Sequence, residues 1–288
     1  MIDKIKTYFS LIKFSHTIFA MPFAFIGFFL GIHESGLGLN FRLLGLIVLC
    51  MVFARNAAMA FNRYTDRNID AKNPRTKNRE IPSKKISHHH VLLFIIINAL
   101  FFVATTFFIN KLCFILSPFA LLAVMGYSYT KRFTALSHFF LGLSLSLAPL
   151  GAYIAVCGYI TIIPVLLSLS VLLWVSGFDI IYALQDLHFD KDNNLKSVPV
   201  VLGYKKSQFL ALLIHLSSLI VLYFVGMLLG PHSYFMYFGA LIFLMLILFQ
   251  HIIFAIYGLK KINTAFFTLN GMASIILAVF SCIELYFF

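Results

Sequence analysis

The chain has 288 residues, of which 61% are hydrophobic, 17% aromatic and only 11% charged, with a formal net charge of +12. Soluble globular domains carry about 25% charged residues, so this composition excludes an ordinary water-soluble domain. The basic excess falls in alternate loops between apolar runs, a placement that argues against nucleic acid as the partner.

In chain order, the apolar runs are Phe14–Ile32, Leu43–Phe61, Val91–Ile109, Leu112–Tyr129, Phe139–Cys157, Ile160–Leu184, Phe209–Leu229, Tyr234–Tyr257 and Ala265–Phe288. Each approaches or reaches the ~20 residues that a bilayer-spanning helix needs. The expected fold is all-α and polytopic, with about nine transmembrane helices around a central cavity in a single domain, residues 1–288. The first run is longer than a signal-peptide core and is read as a span. Of the 22 lysines and arginines, 19 precede span one or follow spans two, four, six and eight. The opposite loops hold only Arg42 and Lys111, and Arg55 lies inside span two. Lys and Arg mark the cytoplasmic side, which places the N-terminus inside and the C-terminus outside. The expected location is therefore the plasma (inner) membrane, multi-pass, with the lipid bilayer as solvent and no obligate protein partner. Cys50, Cys113, Cys157 and Cys282 lie far apart in or beside apolar runs and read as small buried hydrophobes. His88, His89 and His90 are consecutive and so do not share a helix face; they read as a membrane-edge anchor.

Seven of the ten acidic residues lie in or near two cytoplasmic loops. After span two the chain reads Asn62-x-x-x-Asp66-x-x-x-Asp70, and after span six Asp186-x-x-x-Asp190. Spacings of four put these groups on one helix face, as extensions of spans two and six. Like charges so placed repel, and the doubling on one membrane side suggests a shared ligand. Asp66 and Asp186 are 120 residues apart, as are Asp70 and Asp190, as a parallel internal repeat would give. Magnesium takes oxygen ligands and is held by a carboxylate or two plus substrate phosphates. The arginines and lysines around these acids would address the phosphate oxygens directly. The bland alternative is a solvated loop whose acids balance an inside-positive run.

The segments "NRYTDRNID" (62–70), "YSYTK" (127–131) and "DLHFD" (186–190) resemble the three motifs of the UbiA-type intramembrane aromatic prenyltransferases. "RTKNREIPSKK" (75–85) and "LKSVPVVLG" (195–203) are similar to the stretches that follow those aspartate motifs in the family. One position departs: the family often has Asp second in its first motif, where this chain has Arg63. "KFSHTIFAMPFAF" (13–25) and the form of the first motif look most like the 4-hydroxybenzoate polyprenyltransferases, which include relatives acting on naphthoates.

The resemblance implies transfer of a polyprenyl group from a polyprenyl diphosphate to a small aromatic acid, in ubiquinone or menaquinone synthesis. It implies Mg²⁺ held by Asn62, Asp66, Asp70, Asp186 and Asp190, with Arg67, Arg79, Lys131 and Lys196 as the phosphate clamp and Tyr127 donating a hydrogen bond. The aspartates and Lys131 are the candidate catalytic groups. Charge inside a span is expensive, so Arg55 and Asp179 are read as facing the cavity. Arg55 would take the acceptor's carboxylate, Asp179 would orient a neighbour, and the plain alternative is a pair bracing two helices. His16, near the inner end of span one, is the remaining acceptor-side candidate. Three other readings stay open: a haem- or chlorophyll-type relative, a phosphatidyl- or sugar-type transferase using Mg²⁺, and a secondary transporter. A transporter, however, places its ionisable groups near the midplane, and here the acids crowd one face.

The loop asymmetry yields a direct test. Single cysteines at Ser35 and at Phe288 should react with an impermeant maleimide added outside intact cells, and one at Lys84 only after lysis. Labelling of Lys84 in intact cells would reverse the orientation.

Overall fold

The computed structural model describes residues 2–12, 20–230 and 233–288, and among these there is no β-strand. A short N-terminal helix, α1 (Ile2–Leu11), precedes α2 (Met21–Ser35), α3 (Phe41–Thr65) and the six-residue α4 (Arg67–Lys72). Then come α5 (His88–Phe107), α6 (Lys111–Thr130), α7 (Ser137–Cys157), α8 (Ile162–Ala183) and a second six-residue helix, α9 (Leu187–Asp192). The chain ends with α10 (Val198–Leu229), α11 (Tyr234–Tyr257) and α12 (Asn270–Phe287). Among the described residues, eight helices are long and apolar enough to cross a membrane. The first expected span corresponds to α2, whose 15 described residues begin at Met21, and its start at Phe14 lies outside the described residues.

Polar side chains at the loop ends start these helices. Asn40 Oδ1 accepts from the Leu43 amide at 3.0 Å and caps α3, and Ser87 and Ser197 cap α5 and α10 in the same way. Asn110 does two jobs: Oδ1 caps α6 through the Cys113 amide at 2.8 Å, and Nδ2 donates to the Ile154 carbonyl of α7, also at 2.8 Å. Near its start α10 is interrupted at Gly203, whose φ of 74° lies in the left-handed region that only glycine enters freely.

Helix α8 sits at the centre, between α7 and α10, and carries Trp174, the largest fully buried side chain. Around it α2 packs on α7 and α12, α11 bridges α12 and α10, and α3, α5 and α6 form the other flank. Lipid gives helices no hydrophobic reason to associate, so close contact depends on small residues. Gly142 faces the Leu172 carbonyl of α8, Gly177 faces the His215 ring, and Gly27 lies against the Pro149 backbone. The outer surface is apolar: Leu100, Phe101, Phe107, Phe119 and Leu122 are exposed, as lipid requires. In water such a surface would be an aggregation liability.

A Cβ added at Gly27 would lie 2.1 Å from the Pro149 carbonyl oxygen, which belongs to backbone and cannot swing away. Gly27→Val should therefore destabilise the protein by about 1–3 kcal/mol. Thermal unfolding in detergent measures this, with Gly45→Val, which faces open space, as the control.

Candidate active site

The two aspartate motifs fold alike. The apolar helix α3 ends at Thr65 and α8 at Ala183, each leading aspartate sits at the break, and a six-residue helix follows. Asp66 has φ −89° and ψ 3°, and Asp186 has φ −99° and ψ 4°. Both angles fall in the sparsely occupied bridge region. Asp70 and Asp190 are then buried on α4 and α9. The expected helical extensions are present, but as separate short helices whose axes restart at the first aspartate of each motif.

Between them lies a polar chamber of about 940 Å³, lined by all four aspartates together with Asn62, Arg79, Tyr127, Lys131, Arg55 and Asp179. Each carboxylate has a cationic neighbour. Arg79 Nη1 donates to both oxygens of Asp70, at 2.7 and 2.8 Å. Arg75 forks onto Asp186, Nε to Oδ1 at 3.0 Å and Nη2 to Oδ2, while Asn73 Nδ2 donates to Oδ1 at 3.1 Å. Arg132 Nη2 lies 3.4 Å from Asp66 Oδ1 and donates to the Thr65 carbonyl at 2.8 Å. Asn62 Nδ2 reaches the other oxygen of Asp66 at 3.3 Å. Lys131 Nζ stands 3.8 Å from Asp190 Oδ2.

Burial raises the Asp66 carboxyl above its ordinary pKa, against the pull of Lys131 and Arg132. Burial alone would lower Lys131, but Asp190, Asp179, Asp186 and Asp66 outweigh it and hold the ammonium above its usual value. Lys131 and the acids of both motifs line the same chamber.

Of the clamp residues expected from the sequence, Arg79, Lys131 and Tyr127 line the chamber, and Arg67 and Lys196 are not among its lining residues. The Arg67 guanidinium lies 4.6 Å over the Tyr64 ring and donates to the Tyr64 carbonyl at 2.6 Å. Lys196 Nζ donates to the Phe133 carbonyl at 3.1 Å, while its backbone amide ties the second motif's loop to the Lys131 carbonyl at 2.7 Å. His16 lies outside the described residues. Sequence reasoning missed Arg75, Arg132 and His138. His138, fully buried on α7, donates from Nδ1 to Asp179 Oδ2 at 2.7 Å and accepts at Nε2 from the Val198 amide at 3.4 Å. Those two bonds assign its tautomer.

A second, apolar cavity of about 210 Å³ runs between α3, α5, α6 and α7. It shares Arg55, Met59, Tyr127, Leu141 and Leu145 with the polar chamber, so the two meet at the Arg55 guanidinium and the Tyr127 ring.

Among the described residues, no three His, Cys, Asp or Glu side chains converge as an all-protein metal cage. The chamber offers oxygen donors instead, and Asp190 Oδ2 is buried without a hydrogen-bond partner. That donor set fits Mg²⁺, which keeps waters and takes one or two carboxylates plus phosphate oxygens.

A family model described as the UbiA prenyltransferase family matches residues 20–272. The chain belongs to that family. It is 31% identical over 187 residues to a 4-hydroxybenzoate octaprenyltransferase of Tolumonas auensis, a match spanning 65% of each chain. It is 33% identical over 200 residues to the protein of that name from Nitrosomonas eutropha, across 69% of each. Among solved structures, the apo UbiA homologue of Aeropyrum pernix superposes with a TM-score of 0.82 at 26% identity, covering 92% of this chain and 96% of that one. The Archaeoglobus fulgidus UbiA homologue bound to DMAPP and Mg²⁺ shares the fold, with a TM-score of 0.73 at 19% identity over 98% and 100% of the two chains.

The His138 contact makes a separate prediction. His138→Ala leaves the Asp179 carboxylate without its buried donor and should cost about 1–3 kcal/mol of stability in thermal unfolding. His138→Asn, whose amide nitrogen takes the place of Nδ1, should recover much of that loss.

Proposed function

We propose that this protein transfers a prenyl group from a polyprenyl diphosphate to an aromatic acid, at the cytoplasmic face of the membrane and with Mg²⁺. The supporting observation is the junction of the two cavities: a chamber of carboxylates and guanidiniums opening at Arg55 and Tyr127 into an apolar slot. A prenyl diphosphate has that same division. Each methylene removed from water contributes ~0.8 kcal/mol, so the tail belongs in the slot or the lipid and the diphosphate in the chamber. The names of the relatives and the ligands of the Archaeoglobus neighbour point to the same chemistry. The acceptor we assign is 4-hydroxybenzoate or a dihydroxynaphthoate, and the pathway that of ubiquinone or menaquinone.

Asn62, Asp66, Asp70, Asp186 and Asp190 would hold the ion. When bound, Mg²⁺ supplies positive charge to the departing diphosphate, where negative charge grows in the transition state. Arg75, Arg79 and Lys131 line the same chamber and offer donors to the phosphate oxygens. As the allylic C–O bond breaks, its electron pair leaves with the diphosphate. The ring carbon ortho to the acceptor's hydroxyl then bonds to the allylic carbon, and the ring proton passes to a carboxylate or to the pyrophosphate. Arg55, at the mouth of the slot, would hold the acceptor's carboxylate beside the tail's reactive end. His138, buried on α7, would keep the Asp179 carboxylate oriented in the chamber.

The assay is transfer of labelled geranyl diphosphate by the purified protein to a panel of hydroxybenzoate and dihydroxynaphthoate acceptors. Asp66→Ala and Asp186→Ala should each lower turnover by about a hundredfold or more while the protein stays folded. The double variant should be little worse than either single one, because groups acting as a unit are strongly non-additive. EDTA should reproduce the loss. Additive losses, or full activity in EDTA, would separate the two loops.

A further inference from the structure

Arg63 is a buried arginine of the first motif whose charge none of the chamber's ion pairs uses. It sits on α3 between Asn62 and Asp66, is 6% exposed, and lines the chamber. Among the described residues it belongs to none of the ion pairs that commit Arg75, Arg79, Lys131 and Arg132 to the four aspartates. Its Nε is buried with no hydrogen-bond partner. Asp70, Glu80, Arg79 and Tyr127 line the same chamber. Both acids have other partners: Asp70 accepts from Arg79 Nη1 at both oxygens, and Glu80 Oε1 accepts from Ser10 Oγ at 2.5 Å.

A guanidinium kept from water with a donor unsatisfied is destabilising by itself, so the position makes sense when something fills it. The missing partner must be an anion, must reach the chamber, and must lie at the level of Asn62 and Asp66. The acceptor's carboxylate fits less well, because Arg55 lies two turns deeper, at the mouth of the apolar slot. We infer that Arg63 is a built-in diphosphate-binding residue, a permanent cation that grips phosphate oxygens whether or not metal is present. The inference rests on the diphosphate reading of the chamber and goes further: part of the affinity for the head group is independent of Mg²⁺. Arginine suits this role because its charge is permanent and its five donors sit in a rigid fork matched to phosphate.

The experiment is isothermal titration of the full-length protein in detergent with inorganic pyrophosphate, in EDTA and again in Mg²⁺. Wild type should bind in EDTA. Arg63→Gln should weaken that binding by about tenfold or more, the loss expected for a charge-assisted hydrogen bond. Arg63→Lys, which retains the charge, should fall between them, and the difference should shrink in Mg²⁺. Equal affinity of wild type and Arg63→Gln in EDTA would overturn the assignment, as would no binding by wild type there. Loss of 4-hydroxybenzoate binding with pyrophosphate binding intact would move Arg63 to the acceptor's side and overturn it too. Unfolding of both variants in a thermal scan would make the residue structural and refute it. Failure of wild type to transfer geranyl diphosphate in Mg²⁺ would refute the proposed function instead, and the pyrophosphate titration reads Arg63 independently of that result.

Discussion

Four carboxylates at the ends of apolar helices can stay charged only if positive charge is brought to each of them. Removing a carboxylate from bulk water is costly, and the cost is recovered only by close, well-hydrogen-bonded partners. Arg79, Arg75, Arg132 and Lys131 meet that need one to one, and much of the architecture at this end serves to deliver them. The loop from Asn73 to Arg79 folds back over the chamber, and α6 runs on to Lys131 and Arg132. The Lys196 amide binds the Lys131 carbonyl, so the second motif's loop is fastened to the segment that carries Lys131 and Arg132, the partners of Asp190 and Asp66. The acids of one half of the chain are thus held in place by bases of the other. An anionic substrate arriving with a cation can trade partners with these pairs without leaving any charge bare.

Much of this was legible in the sequence, because lipid leaves few alternatives. Without water to satisfy backbone groups, an apolar run of 20 residues has to be a helix, and length and hydropathy located the eight span-capable helices found among the described residues. The spacing of four in "NRYTDRNID" and "DLHFD" brought the aspartates to one face, and the equal 120-residue offsets pointed to a shared site. What the spacing did not reveal was which bases would answer them. Eight lysines and arginines follow span two, and nothing in their order ranks Arg75 above Arg67. The difference lies in the loop: Arg67, in the first turn of α4, points back onto Tyr64, while Arg75 comes after the turn at Asn73 and meets Asp186 from across the chamber. His138 was invisible for a related reason. A single histidine near a helix start carries no signal until α7 and α8 are packed and Asp179 lies beside it.

The two halves of the site resemble each other more in backbone than in sequence. Beyond the acids the two loops share little, yet both break the helix axis at the leading aspartate with nearly the same backbone angles. Backbone conformation is what the two loops share, while the side chains around it differ: Asn73 and Arg75 donate to Asp186, whereas Asn62 and Arg132 meet Asp66.

The meeting of the chamber and the apolar slot at Arg55 and Tyr127 has a consequence for what happens after the chemistry. Under the proposed reaction, the donor is tethered at its charged end and dissolved at the other. Bond cleavage severs the tether: pyrophosphate remains among the guanidiniums, while the alkylated ring is joined to a chain that prefers hydrocarbon. The alkylated product then prefers the bilayer and pyrophosphate prefers water, so partitioning alone draws the two products apart.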